Sequence, residues 1–110
     1  MKISIFGLGY VGCVSLCCLA KNVHSIIGID NNQAKTDLIN QGLPTIIEKD
    51  LDKIIHEVYV QGRIKATSDY ESAVISSDVS IICVGTPSTE QGHLDLSNIY
   101  ATAEQIGSAL

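Results

Sequence analysis

Apolar and polar positions fall in blocks along this chain, and their period switches repeatedly between that of a strand and that of a helix. Lys2 to Phe6 is a short β-rich run, ended by Gly7. Tyr10 to Lys21 reads as a helix, with Val11, Val14 and Cys18 on one stripe. Ser25 to Asp30 predicts a second strand through Ile26, Ile27 and Ile29. Asn31 to Gln41 predicts a second helix, stopped by Gly42-Leu43-Pro44. A third helix is expected from Asp50 to Gln61, capped by Asp50 and ended at Gly62. Arg63 to Thr67 is a more polar strand, which suits a sheet edge. Ser68 followed by Glu71 has the form of a capping box for a short fourth helix. Val79 to Val84 is nearly continuous in apolar residues, as a strand buried on both faces should be. A loop from Pro87 to Leu94 leads to a last helix that starts near Ser97.

Strands that alternate with helices imply an α/β fold: a parallel sheet with right-handed crossovers, doubly wound. No internal repeat, low-complexity stretch or linker interrupts the pattern. Ile99, Ala103, Ile106 and Leu110 carry a helical stripe to the last residue with no cap, stop or polar tail. The expectation is that residues 1–110 form one domain and a fragment of a longer chain.

Composition narrows the class. The chain is 45% hydrophobic and 17% charged, a globular balance. Its net charge is −5 with scattered basic residues, which argues against nucleic acid as a partner. No run approaches the roughly 18 apolar residues of a membrane span. A strand beginning at Lys2 leaves no room for a leader, so a cytoplasmic location is expected. Cys13, Cys17, Cys18 and Cys83 lack the spaced pairs of a metal site and read as buried free thiols. His24, His56 and His93 share no ligand spacing, and Asp50, Asp52 and Glu57 look like a solvated helix face.

The chemistry concentrates at Gly7-Leu8-Gly9-Tyr10-Val11-Gly12, a G-x-G-x-x-G that follows a strand and opens a helix. That context is the dinucleotide-binding arrangement of a Rossmann-type sheet. Gly7 permits the turn out of the strand, Gly9 lets a pyrophosphate approach the backbone, and Gly12 lets the helix pack closely. Free N–H groups at the helix start would then face the phosphates. The competing reading is a purely structural glycine turn. Asp30 ends the second strand about twenty residues on. There a carboxylate can accept from the adenosine ribose hydroxyls and repel a 2′-phosphate, which favours NAD over NADP; alternatively it caps the next helix, a task Asn31 could also perform. In the strand order 3-2-1-4, Val84-Gly85-Thr86-Pro87 falls across the crevice from Gly9. Thr86 could offer a hydroxyl or N–H to the cofactor, or be an ordinary strand exit. Lys35 is on a side of its helix that could reach the ribose or a phosphate, although a lysine there is by itself commonly a solvated one.

These residues resemble the N-terminal NAD-binding domain of the UDP-glucose/GDP-mannose dehydrogenase family. The likeness runs through Ile3 to Gly12, Ile27-Gly28-Ile29-Asp30, Asp37 to Gly42, Ser77 to Ser88 and Leu94-Asp95-Leu96. The combination of G-L-G-Y-V-G with V-G-T-P and L-D-L is far more specific than the glycine loop alone. The resemblance implies oxidation of a nucleotide-sugar C6 hydroxyl to a carboxylate with two NAD, an aldehyde being trapped on a cysteine along the way. It implies phosphate contacts through the backbone of Tyr10 and Val11. It places Asp30 at the adenosine ribose, Lys35 at the same end, and Thr86 toward the middle or nicotinamide side. The family's Glu-Pro-Gly-Leu stands here as Glu48-Lys49-Asp50-Leu51, and its Gly-His as Val23-His24. None of the four cysteines has the Gly-rich, Pro-Lys-Asp context of the family's catalytic cysteine. The chain is thus expected to hold no catalytic residue and no metal, and to need missing parts for its nucleotide-sugar substrate and for assembly as a homo-oligomer. Two rivals share the loop: another NAD-dependent dehydrogenase of hydroxy-acid or 6-phosphogluconate type, and a nucleotide-sensing regulatory domain of the potassium-channel kind, which gates a partner. Neither is expected to share V-G-T-P with L-D-L.

Overall fold

The computed structural model describes residues 1–85 and 96–110. In chain order the elements are β1 (Lys2–Phe6), α1 (Tyr10–Lys21), β2 (Ser25–Ile29), α2 (Gln33–Asn40), α3 (Leu51–Val60), β3 (Ile64–Thr67), α4 (Tyr70–Ile75), β4 (Val79–Ile82) and α5 (Ser97–Ala109). The strands form one sheet in the order β3-β2-β1-β4, all pairs parallel, with Ile5 opposite Gly28 on one side and Ile81 on the other.

The alternation of strand side chains divides the core in two. Ile3, Ile5, Ile26, Ile64 and Ala66 turn to one face, where α1 and α3 bring Cys13, Leu16, Cys17, Ile55 and Val58. Phe6, Ile27 and Ile29 turn to the other, under Ala73 and Val74 of α4 and Ile106 and Ala109 of α5. Edge strand β3 is polar as expected, with Lys65 exposed. Asn40 partly blunts that edge: its side-chain amide donates to the Ala66 carbonyl and accepts from the Ala66 N–H, both at 2.9 Å.

Several expectations change. Helix α1 buries Gly12, Cys13, Leu16, Cys17 and Ala20, while Val11 and Cys18 are exposed and Val14 is half-buried. Almost every α1 side chain is apolar, so periodicity alone could not choose the inward face. Only Cys13 and Cys17 are therefore buried thiols; Cys83 is half-buried. Strand β4 is not covered on both faces: Val79 remains 43% exposed, because β4 is the outer strand among the described residues. Within α5 it is Thr102 that is buried, while Ala103 and Leu110 are exposed. The Nδ1 of His24 is buried and has no hydrogen-bond partner among the described residues.

The caps also shift. Asn32, not Asn31, caps α2 by accepting from the Ala34 N–H at 3.0 Å. Asp69, not Ser68, caps α4 by accepting from the Ser72 N–H at 3.3 Å. Asp50 makes no side-chain cap and takes a left-handed backbone with φ 64°. Val23 does the same with φ 66°, and these are the positive-φ non-glycine residues described. Both stand where the family pattern has glycine. Each takes a backbone conformation that glycine adopts freely, at a cost of roughly 1–2 kcal/mol, less for Asp than for a β-branched residue.

Candidate functional site

A cleft of ≈ 630 Å³ opens at the carboxyl ends of β1 and β4, where the strand order reverses. Gly7, Gly9, Tyr10, Val11, Asp30 and Lys35 line one side of it. Val84 and Gly85 line the other, together with Asn98 and Gln105 of α5. The structure thus brings six of the eight sequence-singled residues to one place. Gly12 stands behind the wall rather than in it. Thr86 and Pro87 lie outside the described residues.

The glycines have different tasks. Gly7 has φ +99°, and a Cβ there would come within 2.6 Å of the Cys83 carbonyl oxygen. A Cβ on Gly12 would stand 1.7 Å from the Gly7 carbonyl oxygen, so helix and strand end meet backbone to backbone. Gly9 is the opposite case: a Cβ would meet no atom within 4 Å. Its bareness leaves room in the cleft rather than serving the packing.

Helix α1 starts at this opening. Its first-turn amides have no intrahelical carbonyl to bond, no side chain among the described residues caps them, and its first turn carries no acid. A set of bare N–H groups at the positive end of a helix dipole suits an anion. The donor set, the vacant volume over Gly9 and the acid at the end of β2 together fit a dinucleotide.

Asp30 is half-buried and already engaged. Its Oδ2 accepts from the Leu8 N–H at 2.9 Å, and its Oδ1 from the Asn32 N–H at 2.8 Å. It therefore ties the glycine loop to Asn32, the residue that caps α2. A carboxylate has about four acceptor positions, so each oxygen keeps one for a hydroxyl. Lys35, half-buried one turn into α2, lies on the Asp30 side of the cleft. The Tyr10 hydroxyl donates to Glu48 Oε2 at 2.7 Å. That hydrogen bond and the carboxylate charge hold the phenol above its ordinary pKa.

Sequence reasoning missed Asn98, whose side-chain amide donates to the Gly85 carbonyl at 3.0 Å and so fixes the turn leaving β4. Asn98 and Gln105 are seven positions apart, one helical face, but a polar face on a last helix reads as solvated.

A sheet of this order with such a loop and cleft defines a dinucleotide-binding Rossmann domain. Residues 1–110 match the UDP-glucose/GDP-mannose dehydrogenase family, NAD binding domain, and the chain belongs to that family. It is 48% identical over 110 residues to GDP-mannose 6-dehydrogenase of Pseudomonas aeruginosa, covering 100% of this chain and 25% of that protein. It is 40% identical over 111 residues to UDP-glucose 6-dehydrogenase of Rhizobium meliloti, again with 100% and 25% covered. A solved ternary complex of GDP-mannose dehydrogenase from Pseudomonas aeruginosa superposes with a TM-score of 0.97 at 49% identity, over 99% of this chain and 25% of that one. A UDP-glucose dehydrogenase from Pyrobaculum islandicum gives 0.93 at 32% identity, over 98% and 25%. The chain thus spans about a quarter of the length of the curated relatives it matches. Family membership favours the nucleotide-sugar dehydrogenase over both rivals, and NAD as the cofactor.

Proposed function

We propose that this chain is the cofactor-holding portion, residues 1–110, of a longer nucleotide-sugar 6-dehydrogenase. The complete enzyme would oxidise the C6 hydroxyl of UDP-glucose or GDP-mannose to the carboxylate with two NAD. Identity is higher to the GDP-mannose enzymes than to the UDP-glucose one, which favours GDP-mannose. The observation that carries the reading is the open volume over Gly9 beside the Asp30 carboxylate.

In this reading Gly7 and Gly12 shape the loop, and Gly9 makes room for the pyrophosphate. The backbone of Tyr10 and Val11 faces the phosphates, Asp30 and Lys35 hold the adenosine end, and Thr86 serves the middle or nicotinamide side. NAD, when bound, supplies the hydride acceptor. The chain's own residues bind and orient it, and none of them performs the chemistry. The complete enzyme would work in the cytoplasm as a homo-oligomer, and would bind its nucleotide sugar through parts beyond this chain.

Calorimetric titration with NAD and NADP, repeated on Asp30→Ala, tests this. Tighter binding of NAD than NADP, with the preference lost in the variant, is expected. A folded protein that binds neither nucleotide would sink the reading.

A further inference from the structure

The connection between α2 and α3, residues 41–50, is tied to the glycine loop at two points that cofactor binding does not itself require. Thr45 Oγ1 donates to the Leu8 carbonyl oxygen at 2.7 Å. The Leu8 N–H donates to Asp30 Oδ2 at 2.9 Å. The Leu8 side chain is fully buried, and a Cβ on Gly28 would approach its Cδ2 to 2.7 Å. The middle residue of Gly7-Leu8-Gly9 is therefore held by its amide, its carbonyl and its side chain. The peptide that leads into Gly9 has little freedom to rotate. The second tie is the Glu48 carboxylate on the Tyr10 hydroxyl at 2.7 Å, which fixes a ring at the wall of the cleft. Neither Thr45 nor Glu48 lines that cleft.

We propose that this connection is a strap that holds the phosphate-facing amides of the glycine loop in place, with Thr45 and Glu48 as positioning residues that do not touch the cofactor. The inference rests on the cofactor reading above. Its physical ground is preorganisation: amides that must converge on a pyrophosphate lose affinity if they have to be ordered at the moment of binding. Leu8 also links the two ends of the site, since Asp30 holds its N–H and the strap holds its carbonyl.

The test uses the complete protein and three probes: NAD, ADP-ribose and adenosine. In Thr45→Val, NAD and ADP-ribose should weaken about five- to tenfold, the worth of one hydrogen bond. Adenosine, which lacks the pyrophosphate, should weaken less than about twofold on the same scale, and Thr45→Ser should restore all three. Equal losses for adenosine and ADP-ribose, or no loss at all, would overturn the strap. If Thr45→Val fails to fold, the exposed tie carries the test. Glu48→Ala and Tyr10→Phe should then each weaken ADP-ribose, with no further loss in the double variant; additive losses or none would overturn it. A wild-type protein that binds no ADP-ribose sinks the cofactor reading itself, a result distinct from failure of the strap.

Discussion

One added methyl group at Gly9 and one at Gly12 should have opposite consequences, although both glycines belong to one loop. At Gly9 an ideal Cβ meets nothing within 4 Å, and the backbone is extended at φ −79°, ψ −151°. Gly9→Ala should therefore change stability by less than about 1 kcal/mol. The methyl takes up space where a pyrophosphate would meet the first amides of α1. Losing one charge-assisted hydrogen bond there costs about 1.5–3 kcal/mol, a Kd raised about ten- to a hundredfold. At Gly12 the Cβ stands 1.7 Å from a backbone oxygen, against the 3.4 Å at which ordinary contact begins. No rotamer change relieves that clash, so α1 must pull away from the end of β1. Such overpacking costs about 1–3 kcal/mol, and more when backbone moves. Urea unfolding and NAD calorimetry on both variants check the pair. The reasoning is refuted if Gly9→Ala binds NAD as wild type does, or loses more than about 2 kcal/mol of stability. A Gly12→Ala protein as stable as wild type refutes it equally.

Other outcomes follow from single contacts. Asp30→Ala strands the part-buried Leu8 N–H, so it should cost about 1–3 kcal/mol in urea unfolding even without nucleotide; an unchanged midpoint would mean that the hydrogen bond contributes nothing. Val23→Gly should stabilise by about 1 kcal/mol, because relief of the φ 66° strain exceeds glycine's entropic cost, and thermal melting reads the gain. Asn40→Ala removes both partners of the Ala66 backbone groups and should speed hydrogen exchange at the Ala66 amide, with little change at Ile5 in the sheet centre. Thiol-reagent mapping should label exposed Cys18 well before buried Cys13 and Cys17; simultaneous labelling would contradict the packing of α1.

The order of strands and helices, the glycine loop and Asp30 were all legible in the sequence. Each is a local pattern whose spacing has a physical reason: period 2 against 3.6, a turn without Cβ, an acid at a strand end. Family likeness was legible too, because V-G-T-P and L-D-L accompany that loop. What could not be read depended on neighbours far away in the chain. The inward face of α1 is set by the sheet beneath it, since its residues are apolar nearly all round. The exposure of β4 follows from its outer place among the described strands, not from its own composition. Val23 and Asp50 depart from the family pattern in sequence, yet both backbones take the left-handed conformation, because the surrounding packing sets φ more strongly than the side chain opposes it. The ties of Thr45 to Leu8 and Glu48 to Tyr10 span 37 and 38 positions, and no periodicity reports a contact of that range. Sequence alone determined which elements form and where the glycine loop and the acid at the end of β2 fall. Tertiary structure alone decided which faces are buried and what holds the loop still, because burial and long-range hydrogen bonds belong to pairs of elements rather than to either one.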